Sequence, residues 1–157
     1  MSQEPQTPAA LEAMIGYQLK HLQSALRSQM DEALRPIGLS TPQYACLELL
    51  RREPGASNSE LARGAFVTRQ TMNTLLRGLQ ERGLVTRATK AETGRALPTT
   101  LTDEGGKTLD QAVERVERIS ALMVSTLDAE LKSHLGEALD LCIGALENED
   151  TKSTHEI

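Results

Sequence analysis

Apolar positions recur at helical spacing along most of the chain, with one short interval where the period drops to two. From about Ala10 to Leu34, the residues Leu11, Met14, Ile15, Leu19, Leu22, Leu26 and Met30 form one side of a long helix. Arg35, Pro36, Ile37 and Gly38 break it. A second helix is predicted from Ser40, with Gln43 at the matching capping-box position and Pro42 in the first turn. It should bury Tyr44, Ala45, Leu47, Leu49 and Leu50 and stop near Arg52, before EPGAS. Ser57 and Glu60 form a second capping box, opening a short helix that Gly64 and Ala65 end. Phe66 and Val67 are expected to supply apolar contacts at the junction. Thr68 then caps a helix reaching Arg82, whose stripe is Met72, Leu75, Leu76 and Leu79, with Gly83 as its stop.

The period of two follows. Residues from Leu84 to Thr89, a polar tip KAETG, and Leu97, Thr99 and Leu101 predict a two-stranded wing. Pro98 has no amide to donate, which implies an edge or broken strand. Thr102 caps a fifth helix running to about Leu127, with Asp103 and Glu104 in its first turn. A last helix covers roughly Ala129 to Leu146, with Leu131, Leu135, Leu139, Cys142, Ile143 and Leu146 on one side. Residues 1–9 read as a loose arm and residues 149–157 as a flexible tail.

The polar positions of the 68–82 helix change the picture. Gln70, Asn73, Thr74 and Arg77 share one face, beside Arg69 and Thr71, and no carboxylate interrupts until Glu81. An ordinary solvated face mixes in Glu and Asp. These side chains suit base edges: Arg to guanine, Asn or Gln to adenine, the Thr methyl to thymine. A short helix, a compact turn and a second helix offering its first half make a helix-turn-helix. Ser57 and Asn58 are candidates for phosphate contact, though capping is the more secure role for Ser57. Arg69, Lys90 and Arg95 are expected on phosphate or in the minor groove, with Arg87 adding charge to the wing. The expected fold is mainly α with a small β wing: a winged helix-turn-helix over 40–102, between long dimerisation helices at 10–35 and 103–148.

Composition bounds the rest. With 157 residues, the chain is one domain or one compact protomer. No apolar run approaches a membrane span, and no basic, apolar leader is visible, so a cytoplasmic protein is expected. Two tyrosines, one phenylalanine and no tryptophan imply an aliphatic core. The net charge of −5 argues against nucleic acid until its distribution is read. Residues 55–102 hold seven basic and three acidic side chains, hence +4 there and −9 elsewhere. Cys46 and Cys142 form no metal motif and read as small core residues. His21, His134 and His155 lack ligand spacing, and no nucleophile or phosphate-cradling motif occurs. Neither an enzyme nor a metal or cofactor is expected.

GLSTPQYACLELL, SNSELARGAFVTRQTMNTLLRGLQERGLVTR and GRALPTTLTDEG, in that order, resemble the MarR family of bacterial transcriptional regulators over nearly the whole chain. The resemblance implies a homodimer that binds inverted-repeat operator DNA. It implies repression of nearby efflux, stress or aromatic-metabolism genes, relieved by a small phenolic or aromatic carboxylate such as salicylate. By position, Thr68 to Arg82 looks like the major-groove reader and Arg95 like the family's wing arginine. One departure stands out: Thr93 occupies the place of the aspartate two residues before that arginine, leaving Glu92 as another anchor. Peroxide-sensing members carry a cysteine in the first helix, and this chain has none there. For the effector, Tyr17 and His21, one turn apart, with Tyr44 and with Lys20 or Arg27, offer an aromatic wall and a carboxylate partner. The alternative is that both tyrosines pack the core and His21 bonds locally. A rival for the whole chain is a winged-helix protein-interaction module, which predicts an apolar or acidic face where Gln70, Asn73 and Arg77 stand.

Overall fold

In a computed structural model, which describes residues 8–88 and 98–153, the chain folds as α1 (Pro8–Leu34), α2 (Thr41–Arg52), α3 (Asn58–Gly64), α4 (Arg69–Glu81), β1 (Val85–Arg87), β2 (Thr99–Leu101), α5 (Asp103–Met123) and α6 (Ala129–Ser153). A single 3-10 turn, Arg35–Ile37, joins α1 to α2. The chain divides into two compact units, one ending at Ile119 and the other beginning at Ser120. This is the mainly helical fold with a small wing that the periodicities imply.

The core of the first unit is aliphatic, as the scarcity of aromatics requires. Leu34, Leu47, Leu50, Leu61, Met72, Leu76, Leu79 and Leu109 are almost wholly enclosed. They come from α1, α2, α3, α4 and α5, so five helices close on one another through one leucine-rich centre. Gly105 lets α5 press against the start of the wing. A Cβ there would lie 1.9 Å from the Leu84 carbonyl oxygen, so no other residue fits without displacing the backbone.

Local chemistry sets the ends of the helices. Ser40 and Ser57 each make the reciprocal capping box, and Thr68 accepts from the Thr71 amide. Three stops share one geometry. Leu39 and Gly38 bond back to Leu34 and Arg35, Val67 and Phe66 to Ala62 and Arg63, and Leu84 and Gly83 to Leu79 and Gln80. Each is a Schellman turn with a left-handed residue at its centre. Gly38 and Gly83 fill two of these centres at φ 70° and 72°, but Phe66 fills the third at φ 56°. A side chain in that region costs about 1–2 kcal/mol.

Side chains then tie the elements together. Asp31 accepts from both the amide (3.1 Å) and the hydroxyl (2.6 Å) of Thr41, fastening α1 to the first residue of α2. These bonds, led by the Thr41 hydroxyl and helped by Arg27 and Arg35, hold the Asp31 carboxyl below the usual carboxylate range. Arg82 donates to the carbonyls of Gly38 (2.5 Å) and Ile37 (3.2 Å), binding the end of α4 to the joint between α1 and α2. Arg115 donates to the Ala33 carbonyl, and Arg51 bridges to Asp110.

The wing strands pair antiparallel, Val85 with Leu101, Thr86 with Thr100 and Arg87 with Thr99. They are shorter than the alternation suggests. Leu84 and Val85 are both buried, because Leu84 still belongs to the helix stop and alternation begins only after it. Pro98 precedes β2, and its carbonyl accepts from Ala88. Three further expectations are corrected. Phe66 is 95% exposed rather than packed at the junction, because the left-handed turn carries it outward; Val67 makes the contact instead. Cys142 is exposed on α6, while Cys46 is enclosed as expected, burial pushing its thiol up to about 12. Helix α6 runs to Ser153, past Leu146. Its start is set by Asp128, whose carboxylate accepts from the Leu131 amide.

Within the described residues, α6 has no buried side chain, and Leu131, Leu135, Leu141, Ile143 and Leu146 are all exposed. The first turns of α1 likewise expose Leu11, Ile15, Leu19 and Leu22. Among the described residues, no helix is long and apolar enough to cross a membrane.

Candidate nucleic-acid interface

Helix α4 puts its apolar stripe into the core and leaves Arg69, Gln70, Thr71, Asn73, Thr74 and Arg77 exposed. Among the described residues, neither Arg69 nor Arg77 has an ion-pair partner. The positive, amide-rich face read from the sequence is therefore one surface of the folded unit. Two hydroxyls on it are already engaged: Thr71 accepts from Thr68 at 3.0 Å, and Thr74 donates to the Gln70 carbonyl at 3.2 Å. Thr71 keeps a proton to donate and Thr74 its lone pairs to accept, and both methyl groups can meet a base.

Ser57 acts as a cap. Its hydroxyl accepts from the Glu60 amide, and its own amide donates to the Glu60 carboxylate at 2.7 Å. Those bonds hold the Glu60 carboxyl below its ordinary range. Asn58 is turned to α4 instead of outward. Its Nδ2 donates to Asn73 Oδ1 at 2.9 Å and lies 3.4 Å from the Arg69 carbonyl, and its Oδ1 is buried. Asn73 Oδ1 also accepts from Arg87 Nη2 at 3.3 Å. Arg87 is thus half-buried against α4. Nothing local signals this cluster, because its members stand 14 and 15 residues apart. Lys90, Thr93 and Arg95 lie outside the described residues.

The candidate effector residues do not gather in one place. Tyr17 is exposed, its ring 6.2 Å from that of His21. Tyr44 is half-buried against the core, and burial raises its hydroxyl above the ordinary range. Arg27 stands 3.8 Å from Asp31 and lines two adjoining cavities. The smaller, of about 310 Å³, lies between α1, α2 and the α3–α4 turn; Leu26, Met30, Pro42, Ala45, Phe66 and Val67 give it apolar walls. The larger, about 550 Å³, is more open and polar, with Asp31 and Arg35 beside Arg27. Neither lining includes Tyr17, Lys20, His21 or Tyr44. Phe66 is the aromatic residue that the sequence reading overlooked here. A positive φ at a non-glycine turn centre is the signal that finds it, and that is visible only in the backbone.

Among the described residues, no group of His, Cys, Asp or Glu is arranged to hold a metal ion. Residues 37–96 match the profile of the MarR family. The HTH-type transcriptional repressor Rv2887 of Mycobacterium tuberculosis is 41% identical over 118 residues, which is 75% of this chain and 85% of that protein. Solved structures of the Mycobacterium tuberculosis MarR family protein Rv2887 superpose along most of the chain. Its complex with salicylic acid gives a TM-score of 0.68 at 36% identity, covering 88% of this chain and 98% of the other. Its complex with DNA gives 0.67 at 35% identity, covering 81% and 95%.

Proposed function

The chain belongs to the MarR family of winged helix-turn-helix transcriptional regulators, and from that premise we propose that it is a homodimeric repressor released from an inverted-repeat operator by a small aromatic acid. At the coarser level it is a DNA-binding transcription regulator and not an enzyme. One observation carries the DNA reading: the exposed, carboxylate-free face of Arg69, Gln70, Asn73 and Arg77 on α4. Arg77 and Gln70 would meet base edges, with Arg69, and Lys90 and Arg95 of the wing, on phosphate or in the minor groove. The rival interaction-module reading needs an apolar or acidic surface at that position.

Dimerisation has its own support. Among the described residues, segments 10–35 and 103–148 carry every large exposed apolar side chain except Phe66, including Leu19 and Leu22 on α1 and Leu135 and Ile143 on α6. A two-fold dimer would cover them and set two α4 helices about 34 Å apart, one DNA turn.

For the effector, the cavity of about 310 Å³ combines a cation, Arg27, with an aliphatic floor from Leu26, Met30 and Ala45, and Phe66 is among the residues that line it. That pairing suits a flat ring bearing a carboxylate. The salicylic acid complex of Rv2887 supports the same ligand class. The cavity touches both α1 and the turn leading into α4, so a ligand favouring one spacing of these elements shifts the population that fits DNA.

The test is a titration of the purified dimer onto fluorescent duplexes from upstream of its gene, with excess random competitor and a salt series. Retained binding of one dimer per inverted repeat, falling steeply with salt and reversed by salicylate, is the expected result. Binding that disappears under competitor, from a folded dimer, would overturn the operator reading. Binding that persists unchanged through a panel of aromatic acids would overturn the effector reading alone.

A further inference from the structure

The cluster Asn58–Asn73–Arg87 restricts what the recognition helix can read. An asparagine amide normally presents both a donor and an acceptor, and which end points where is a matter of surroundings. Here chemistry decides it. A guanidinium only donates, so the Asn73 atom facing Arg87 must be the oxygen. With that oxygen inward, the Asn58 atom facing it must be the nitrogen. Arg87 thereby fixes Asn73, and Asn73 fixes Asn58.

The orientation has a visible cost. Among the described residues, Asn58 Oδ1 and Arg87 Nε are buried with no hydrogen-bond partner. A cluster kept only for stability would pair those atoms or replace them with apolar ones. Two unpaired polar atoms around one exposed amide indicate a function for the way that amide points.

We propose that Asn73 meets DNA as a donor only, and that Arg87 and Asn58 are the positioning residues that make it so. This rests on the reading of α4 as the major-groove helix. With Oδ1 occupied by two donors, Nδ2 is the group left for the groove. It can bond to purine N7, guanine O6 or thymine O4, and it rejects the amino groups of adenine and cytosine. The two-bond recognition of adenine expected of asparagine is closed to Asn73, while Gln70 remains able to make it.

The experiment begins with operator selection from a random duplex library by the full-length protein. The selected site is then remade with single adenines replaced by purine lacking the 6-amino group, cytosines by a base lacking the 4-amino group, and purines by 7-deazapurines. Wild type, Asn73→Ala, Asn73→Asp, Arg87→Ala, Arg87→Lys and Arg87→Ala with Asn73→Ala are titrated on operator and random DNA, with thermal unfolding checked for each. Loss of an amino group is expected never to produce an effect that depends on Asn73. Asn73→Asp, which keeps only acceptors, should lower the operator-to-random ratio as far as Asn73→Ala, on the order of tenfold. Arg87→Ala should lower the ratio when Asn73 is present and add nothing when it is absent, and Arg87→Lys, which keeps a donor, should restore most of it.

An adenine or cytosine whose amino group matters to wild type but not to Asn73→Ala would overturn the proposal, leaving the operator reading intact. So would an unchanged ratio in Asn73→Ala. Equal losses on operator and random DNA from Arg87→Ala in both backgrounds would make Arg87 a phosphate contact and remove its positioning role. Failure of wild type to select any site would overturn the operator reading, and this proposal with it.

Discussion

Helices α4 and α6 are both amphipathic in sequence and end up in opposite situations. The stripe of α4, Met72, Leu76 and Leu79, is at most 1% exposed, because α2 and α3 pack around it. The stripe of α6 keeps Leu131 half exposed and Leu146 nearly three-quarters exposed. Periodicity says that a face wants cover, without saying whose. Where the chain supplies the cover, the helix becomes part of a self-contained core; the exposed face of α6 is the one that the proposed dimer would cover.

That contrast can be broken most forcefully in the core. Leu76→Ala should cost about 3 kcal/mol in urea unfolding at any protein concentration, since the cavity lies within one chain. Leu146→Ala should cost almost nothing in dilute protein and show its effect only where dimers form. If both variants behave alike across a dilution series, the contrast between the helices fails. Next comes the uncovered face itself. Leu135→Glu with Ile143→Glu should shift sedimentation from dimer to monomer and weaken operator binding by the loss of one half-site.

Smaller effects sharpen the comparison within the reading unit. Phe66→Gly should raise stability by about 1 kcal/mol, because its turn centre then matches those at Gly38 and Gly83. It should also weaken salicylate binding in calorimetry, whereas a gain in stability with unchanged binding would remove Phe66 from the proposed pocket. Asp31→Asn should cost about 1 kcal/mol near neutral pH, the exposure of the carboxylate limiting the loss. Because the folded-state pKa is lowered, this contribution is complete above the usual carboxylate range and disappears as pH falls through the folded value. Acid titration should therefore erode wild-type stability more than that of Asp31→Asn. The mildest probe is thiol labelling. Cys142 should react at pH 8 in dilute protein, and Cys46, whose thiol sits near 12, only on unfolding.

Features governed by near neighbours were legible in the chain. Ser40, Ser57 and Thr68 as caps, Gly83 as a stop and the stripe of α4 each depend on residues within one or two turns. Features governed by distant neighbours were not. Arg82 reads as one more basic residue, and its partners stand 44 and 45 positions away. Cys142 shares its periodicity with core residues, yet it is exposed. The exposed polar face of α4 was visible residue by residue, but the bonds that Asn73 makes were not, since Asn58 and Arg87 reach it only after α3, α4 and β1 have assembled.

The grip of Arg82 on the Ile37 and Gly38 carbonyls pins the end of α4 to the α1–α2 joint. The helix is about 20 Å long at 1.5 Å per residue. A tilt of about 5° around the pin would therefore swing the start of the helix by nearly 2 Å, while the hydrogen bonds to bases proposed for it tolerate only a few tenths of an ångström. With the pin holding the helix to the α1–α2 joint, motion at that joint reaches the far end magnified rather than absorbed as play. A displacement at that joint much smaller than the one it produces is then enough to move the far end of α4.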